Sequence, residues 1–200
     1  MLAGMPRAKA FDPEAALDRA VELFWRFGYE GTSMAKLLEF MGISRQSLYD
    51  TYGDKHSLFL AAVDRYRANV QRQLAALISG EATAIAGVRA VFEWVNQAVV
   101  EHPEHRSCLM ANTALELGQR DPDARERVSA HLRDVEGVFA AALERGQRAG
   151  ELDASRDVRA LARFLTGSIH GLGILARGGA PTPVLRDTIT TTLAVLDGRA

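Results

Sequence analysis

Apolar residues recur along this chain at intervals of three and four and almost nowhere at intervals of two, which confines it to a helical architecture. Leu17, Ala20, Val21, Phe24 and Phe27 share one helix face. Phe59, Ala62, Tyr66, Val70, Leu74 and Leu77 share another, and Ile85, Val88, Phe92, Val95 and Val99 a third. Leu109 to Leu117, and then Val128, Leu132, Val135, Phe139 and Leu143, continue the pattern, and two last helices are expected near 157–177 and 183–197. The gaps carry helix punctuation. Asp12 before Pro13 caps a first helix, because Asp accepts from free N–H groups and Pro suits the first turn. Gly28 in "GYEGT" ends that helix and Thr32 is placed to cap the next. Gly42 turns the chain, Ser44 caps a short polar helix, Asp54 starts a long one, and "RAGELDAS" reads as a loop. The expected class is all-α, with a three-helix N-terminal domain over residues 1–60 and a larger helical domain over 61–200.

Composition narrows the functions such a chain can have. Its 200 residues are 48% hydrophobic, enough for one large core or two small ones. With 24 Lys/Arg against 25 Asp/Glu the net charge is −1, so no global field marks a nucleic-acid or membrane partner. A single cysteine excludes an intrachain disulfide and fits a reducing compartment. "MLAGMPRAKAF" lacks the apolar run of a signal peptide, and no stretch is long enough to span a bilayer, so a soluble, cytoplasmic protein is expected. Met5 is a second candidate start, which would make "MLAG" an extension.

The stretch "GISRQSLYDTYGDK", residues 42–55, places two tyrosines in a short polar helix behind a glycine turn. A short helix, a Gly turn and a short polar helix make the layout of a helix-turn-helix, whose second helix enters the DNA major groove. In that layout Ile43 and Leu48 anchor the second helix, and Arg45, Gln46 and Ser47 point outward near its start. Arg pairs with guanine and Gln with adenine through two hydrogen bonds each, so these residue types suit base reading. Tyr49 and Tyr52 would give their hydroxyls to phosphates, and Lys55 would add charge and backbone N–H groups for another. A plain three-helix core with partly exposed tyrosines fits the same residues.

Residues 12–66, with "AALDRAVELFWRFGYEGTSMAKLLEFMGISRQSLYDTYGDKHSLFLAAVDRY", resemble the N-terminal domain of the TetR family of transcriptional repressors. The shared pattern is an apolar first helix, "GY-x-x-T", a Gly turn, "LY-x-x-[FY]", then Lys and an apolar helix. The resemblance implies a homodimer with two helix-turn-helix heads bound to a double-stranded DNA operator. It also implies a C-terminal domain for ligand binding and dimerisation, in which a small-molecule effector releases the DNA; no cofactor and no membrane partner are implied. Carried onto this chain, the DNA contacts are Thr32, Ser33, Lys36, Ser44, Arg45, Gln46, Ser47, Tyr49, Tyr52 and Lys55. Leu38 stands where the family usually has a small Ala, which would set the two short helices slightly apart, and Gln46 replaces a frequent Gly. The arm "PRAK" reads as a disordered tail or as a further contact to phosphate or the minor groove. Residues 1–60 hold seven Lys/Arg and eight Asp/Glu, so affinity is expected to need two heads rather than one.

"RSCLMANTALELGQRDPDARERVSAHLRDVEGVFAAALERGQRAGEL" resembles the ligand domain of a TetR-family branch that often carries a Cys in this position. Gly167 and Gly171 lie four apart in a helix, and mid-helix glycines lower stability unless close backbone approach compensates. With Leu185, Ile189, Leu193 and Leu196 on the last helix they suggest a dimeric four-helix interface, ordinary intrachain packing being the alternative. Sensing residues are expected among Phe92, Cys108, Asn112, Phe139 and Phe164, with the aromatics, like Trp94, mostly core. His102, His105 and Cys108, three apart, form a candidate ligand set for a soft metal, although Pro103 breaks a helix there and loop histidines are commonly only solvated. Cys108 at a helix start near Arg106 is a candidate reactive thiolate, inert core being the alternative. No G-x-S-x-G, Gly-rich phosphate loop or H-E-x-x-H occurs, which argues against an enzyme; a helical interaction module without DNA binding remains the third reading.

Overall fold

The structure is a computed structural model that describes residues 11–101 and 108–197, with side chains from 11–98 and 108–197. The described residues are all-α, as the apolar spacing predicts, and contain no strand. His102, His105, Arg106 and the arm "PRAK" lie outside them. The chain divides into two compact units between Arg65 and Tyr66, five residues after the sequence boundary and inside a helix. No helix among the described residues is long and apolar enough to cross a membrane.

The first unit holds α1 (Pro13–Phe27), α2 (Met34–Met41), α3 (Arg45–Tyr52) and the start of α4 (Lys55–Gly80). The Asp12 carboxylate accepts from the Glu14 and Ala15 N–H groups at 2.9 and 3.4 Å, with Pro13 in the first turn. α2 begins one residue later than Thr32 predicts. Ser33 caps it, accepting from Lys36 N–H at 3.2 Å, while Thr32 is fully buried and donates its hydroxyl back to the Gly28 carbonyl at 2.6 Å. Gly42 ends α2 at φ 69°, a left-handed turn in which a side chain is strained. Phe24, Leu37, Leu48 and Phe59 are fully buried, and the rings of Phe24 and Phe59 meet edge-to-face at 5.1 Å. Arg65 grips Asp18 with two bonds of 2.8 and 3.0 Å and also reaches Glu14, a fork that fastens α4 to α1.

The second unit continues α4 and adds α5 (Ala84–Glu101), α6 (Leu109–Leu117), α7 (Pro122–Arg148), α8 (Val158–Arg177) and α9 (Thr182–Ala194). Its core is built from Leu74, Val88, Phe92, Phe139, Leu143, Leu165 and Leu172, with the rings of Phe92 and Phe139 stacked at 6.1 Å. Glu151, beyond the end of α7, caps α5 by accepting from the Ala84 and Ile85 N–H groups at 3.2 and 3.0 Å.

Two sequence expectations are corrected here. Leu185, Leu193 and Leu196 are buried in the core of their own chain and Ile189 packs against it, so these side chains of the last helix and its end serve intrachain packing. Its Pro- and Thr-rich sequence left that choice open. Phe164 is exposed on α8 rather than core.

Candidate nucleic-acid interface and thiol centre

α3 is held by its ends. The Ser44 hydroxyl accepts from Ser47 N–H at 3.1 Å, and Gly53 closes the helix at φ 85°. Leu48 is fully buried, which fixes the rotation of the helix, while Arg45, Gln46 and Tyr49 are exposed. Gln46 is not idle there: its Nε2 donates to Asp50 Oδ1 at 2.7 Å, so bidentate pairing with a base requires it to turn from that carboxylate.

The other expected contacts divide into exposed groups and structural ones. Ser33, Lys36 and Ser44 are exposed and Ser47 is half-buried, the two cap serines having part of their hydrogen-bonding capacity taken up by the helices they start. Lys36 Nζ stands 4.7 Å over the Phe27 ring, and Lys55 Nζ 4.2 Å over that of Tyr29, so both cations are steadied by aromatic faces. Thr32 is removed from the set by its burial. Tyr52 is removed too: its hydroxyl donates to the Pro13 carbonyl at 2.6 Å, and burial, then Glu14 and Asp12, pushes its phenol above the ordinary value.

In the second unit Cys108 stands immediately before α6, as its N-cap residue. The Tyr66 hydroxyl of α4 donates to Sγ at 3.4 Å. The imidazoles of His131 on α7 and His170 on α8 both hydrogen-bond the sulfur. The two rings meet edge-to-face at 5.5 Å, and the ligand atoms of Cys108, His131 and His170 all lie within 4.8 Å of one another. His170 Nδ1 is 2.8 Å from the Thr166 carbonyl; that nitrogen therefore carries the proton and Nε2 is the one available to sulfur. Burial pushes the Cys108 thiol up, but the hydrogen bonds and charge of His131 and His170 outweigh it and hold the group well below its ordinary value. Burial lowers His170, the sulfur beside it raises it more, and the net direction is up. Tyr66 is driven well above its ordinary value by burial and by the neighbouring sulfur.

The sequence reading placed Cys108 beside His102 and His105; the described partners are His131 and His170, on other helices. A signal for both was present. His131 precedes Val135 by four and Phe139 by eight, on the inward stripe of α7, and His170 follows Thr166 by four in an apolar run. Phe92 and Phe139 are closed core rather than pocket wall, and Phe164 lies outside. Asn112 is buried one turn after Cys108. Elsewhere in the unit, Asn96 Oδ1 is buried with no hydrogen-bond partner among the described residues and lines a small apolar pocket with Val95, Leu172, Leu185 and Ile189.

Comparison with known proteins matches residues 16–62 to the family model for bacterial regulatory proteins of the tetR family, and residues 84–190 to that for the tetracyclin repressor-like C-terminal domain. The HTH-type transcriptional regulator YezE of Bacillus subtilis (strain 168) is 35% identical over 96% of this chain and 100% of its own. The HTH-type transcriptional repressor ComR of Escherichia coli (strain K12) is 32% identical over 94% and 90%. Among solved structures, a cysteine mutant of the TetR family regulator CifR complexed with 26 bp double-strand operator DNA aligns with a TM-score of 0.80 and 31% identity, covering 96% of this chain and 98% of that one.

Proposed function

The chain belongs to the TetR family of bacterial regulatory proteins, and from that premise we propose that it is a sequence-specific repressor that binds double-stranded operator DNA as a homodimer through α3. One observation carries the DNA face: Arg45, Gln46 and Tyr49 are exposed on a helix whose rotation is fixed by the fully buried Leu48. Arg45 and Gln46 read bases, Tyr49, Lys36 and Lys55 hold phosphates, and a small-molecule effector taken up by the second unit releases the DNA. The operator complex of the similar CifR mutant supports the same use of the head. Fluorescence anisotropy with a labelled duplex from upstream of the protein's own gene tests the reading. Binding that weakens steeply with salt is expected; absence of binding to that duplex and to every duplex of a random pool would overturn it.

The surroundings of Cys108 favour a second, finer reading, in which this residue is the point of effector action. A thiol that shares its hydrogen bonds with two imidazoles and a phenol has a base beside it to take the proton when Sγ adds to an electrophilic carbon. Incubation with N-ethylmaleimide tests that reading: rapid labelling of Cys108 with loss of operator affinity is expected, and a native thiol that stays unlabelled would overturn it.

A further inference from the structure

The cluster at Cys108 holds more than a reactive thiol requires. One base suffices for addition to an electrophile, yet two imidazoles from different helices converge on the sulfur, with all three donor atoms within 4.8 Å of one another. His170 is oriented from behind by the Thr166 carbonyl at 2.8 Å. An imidazole anchored through one nitrogen to a backbone carbonyl, with the other turned to a thiol, has the outer-shell support that metal-ligating histidines have. His131 is buried and Cys108 half-buried.

We propose that Cys108, His131 and His170 bind one thiophilic metal ion per chain, and that the ion is monovalent copper, Cu(I). The set offers one sulfur, two nitrogens and no carboxylate, which excludes the hard, oxygen-seeking cations and selects soft d10 ions. Charge separates the two commonest of these. A thiolate with two neutral imidazoles carries one negative charge, so Cu(I) makes a neutral cluster, whereas Zn(II) leaves a net positive charge among largely buried groups. Three donors also satisfy Cu(I), while Zn(II) takes four. Binding is a substitution without redox change: the metal–sulfur bond forms, the thiol proton leaves to solvent, and each imidazole gives the lone pair of a deprotonated nitrogen. With metal–sulfur bonds of about 2.3 Å and metal–nitrogen bonds of about 2.0 Å, the donors of an occupied site stand roughly 3.5 Å apart. The segments carrying them therefore draw together around the ion. Tyr66, bonded to Sγ at 3.4 Å, lies on α4, the helix to which both units contribute, so the tightened cluster acts on that helix.

This inference names the effector and rests on the reading of the second unit as the effector-responsive part of a repressor; metal uptake and DNA binding are therefore measured separately. The reduced full-length protein is titrated with Cu(I) anaerobically against the chelator bicinchoninate, in parallel with Zn(II) against a zinc indicator. One Cu(I) per chain is expected, with a thiolate-to-metal charge-transfer band in the ultraviolet and affinity lowered at least tenfold in Cys108→Ser, His131→Gln and His170→Gln. Circular dichroism of each variant verifies that the fold persists. Uptake of Cu(I) no tighter by the parent than by Cys108→Ser would overturn the site, and one-to-one Zn(II) binding without Cu(I) binding would overturn the monovalent assignment. Operator affinity of the metal-free protein reports on the repressor reading alone. Cu(I) uptake with operator affinity unchanged, set against a metal-free protein that binds DNA, would overturn the effector role of the ion.

Discussion

Tyr52 Oη lies 2.6 Å from the carbonyl oxygen of Pro13, joining the last residue of α3 to the first of α1. The tyrosine thus sets where the recognition helix ends, and its neighbour three residues earlier, Tyr49, is the one turned outward. Tyr52→Phe removes the bond without removing the ring, so unfolding stability should fall by about 0.5–1.5 kcal/mol, with little change in DNA affinity when the head is folded. Tyr49→Phe should do the reverse, weakening binding to all sequences alike while the urea midpoint stays where it was. Urea unfolding and anisotropy on both variants check the pair; equal effects on DNA would return Tyr52 to the phosphate face.

Gln46 and Asp50 are bonded one turn apart on α3, at 2.7 Å. Asp50→Ala releases the amide and removes a negative charge from a surface meant for phosphates. Affinity for random-sequence DNA should rise, and the ratio between preferred and random duplexes should shrink. Arg45→Ala should act differently, costing about 1–3 kcal/mol on the preferred duplex and relaxing choice at one base pair. Selection from a random pool with each variant separates the two effects.

How far the sequence carried can be judged at particular residues. Helix starts at Asp12, Ser44 and Asp54 were legible because a side-chain cap is local chemistry. Thr32 was misplaced by one, because both Thr32 and Ser33 can cap and only the packed structure shows that the Thr hydroxyl turns back to Gly28. The thiol's partners were missed for a different reason. His102 and His105 are close to Cys108 in sequence, whereas His131 and His170 reach it only once α7 and α8 pack. Helical register marks a histidine as inward but not which residue it will meet.

Gly87 lies in α5 where that helix passes the end of α4. A Cβ added there would stand 2.8 Å from both the Cα and the carbonyl oxygen of Ile78, backbone that cannot step aside cheaply. Gly87→Ala would gain about 1 kcal/mol of helix propensity, but overpacking of about 1–3 kcal/mol should exceed that gain, so the unfolding midpoint should fall. Gly137, mid-helix in α7 with nothing within 4 Å of an added Cβ, is the control. Gly137→Ala should raise stability by up to about 1 kcal/mol. A stabilised Gly87→Ala variant would mean that α4 and α5 are farther apart than described.

The outer face of α8 carries the last prediction. Phe164, Gly167, Gly171, Ile174 and Leu175 fall on one side of that helix, opposite the buried Ala162, Leu165, Leu172 and Ala176. Phe164 and Ile174 are 48% and 51% exposed, and nothing lies within 4 Å of a Cβ added at Gly167 or Gly171. Within one chain these glycines have no packing reason to be small, and an apolar stripe interrupted by two small residues suits close approach of the same helix from a second copy. Gly171→Leu should therefore leave the folded chain intact, since there is room for the side chain, while obstructing the approach of the partner helix. Light scattering should report a monomer and circular dichroism an unchanged helical content. Operator affinity should fall by about 10²-fold or more although no DNA contact has changed, because separated heads lose the effective concentration that linkage gives them. A Gly171→Leu protein that remains a dimer with parent affinity would move the interface off this face of α8.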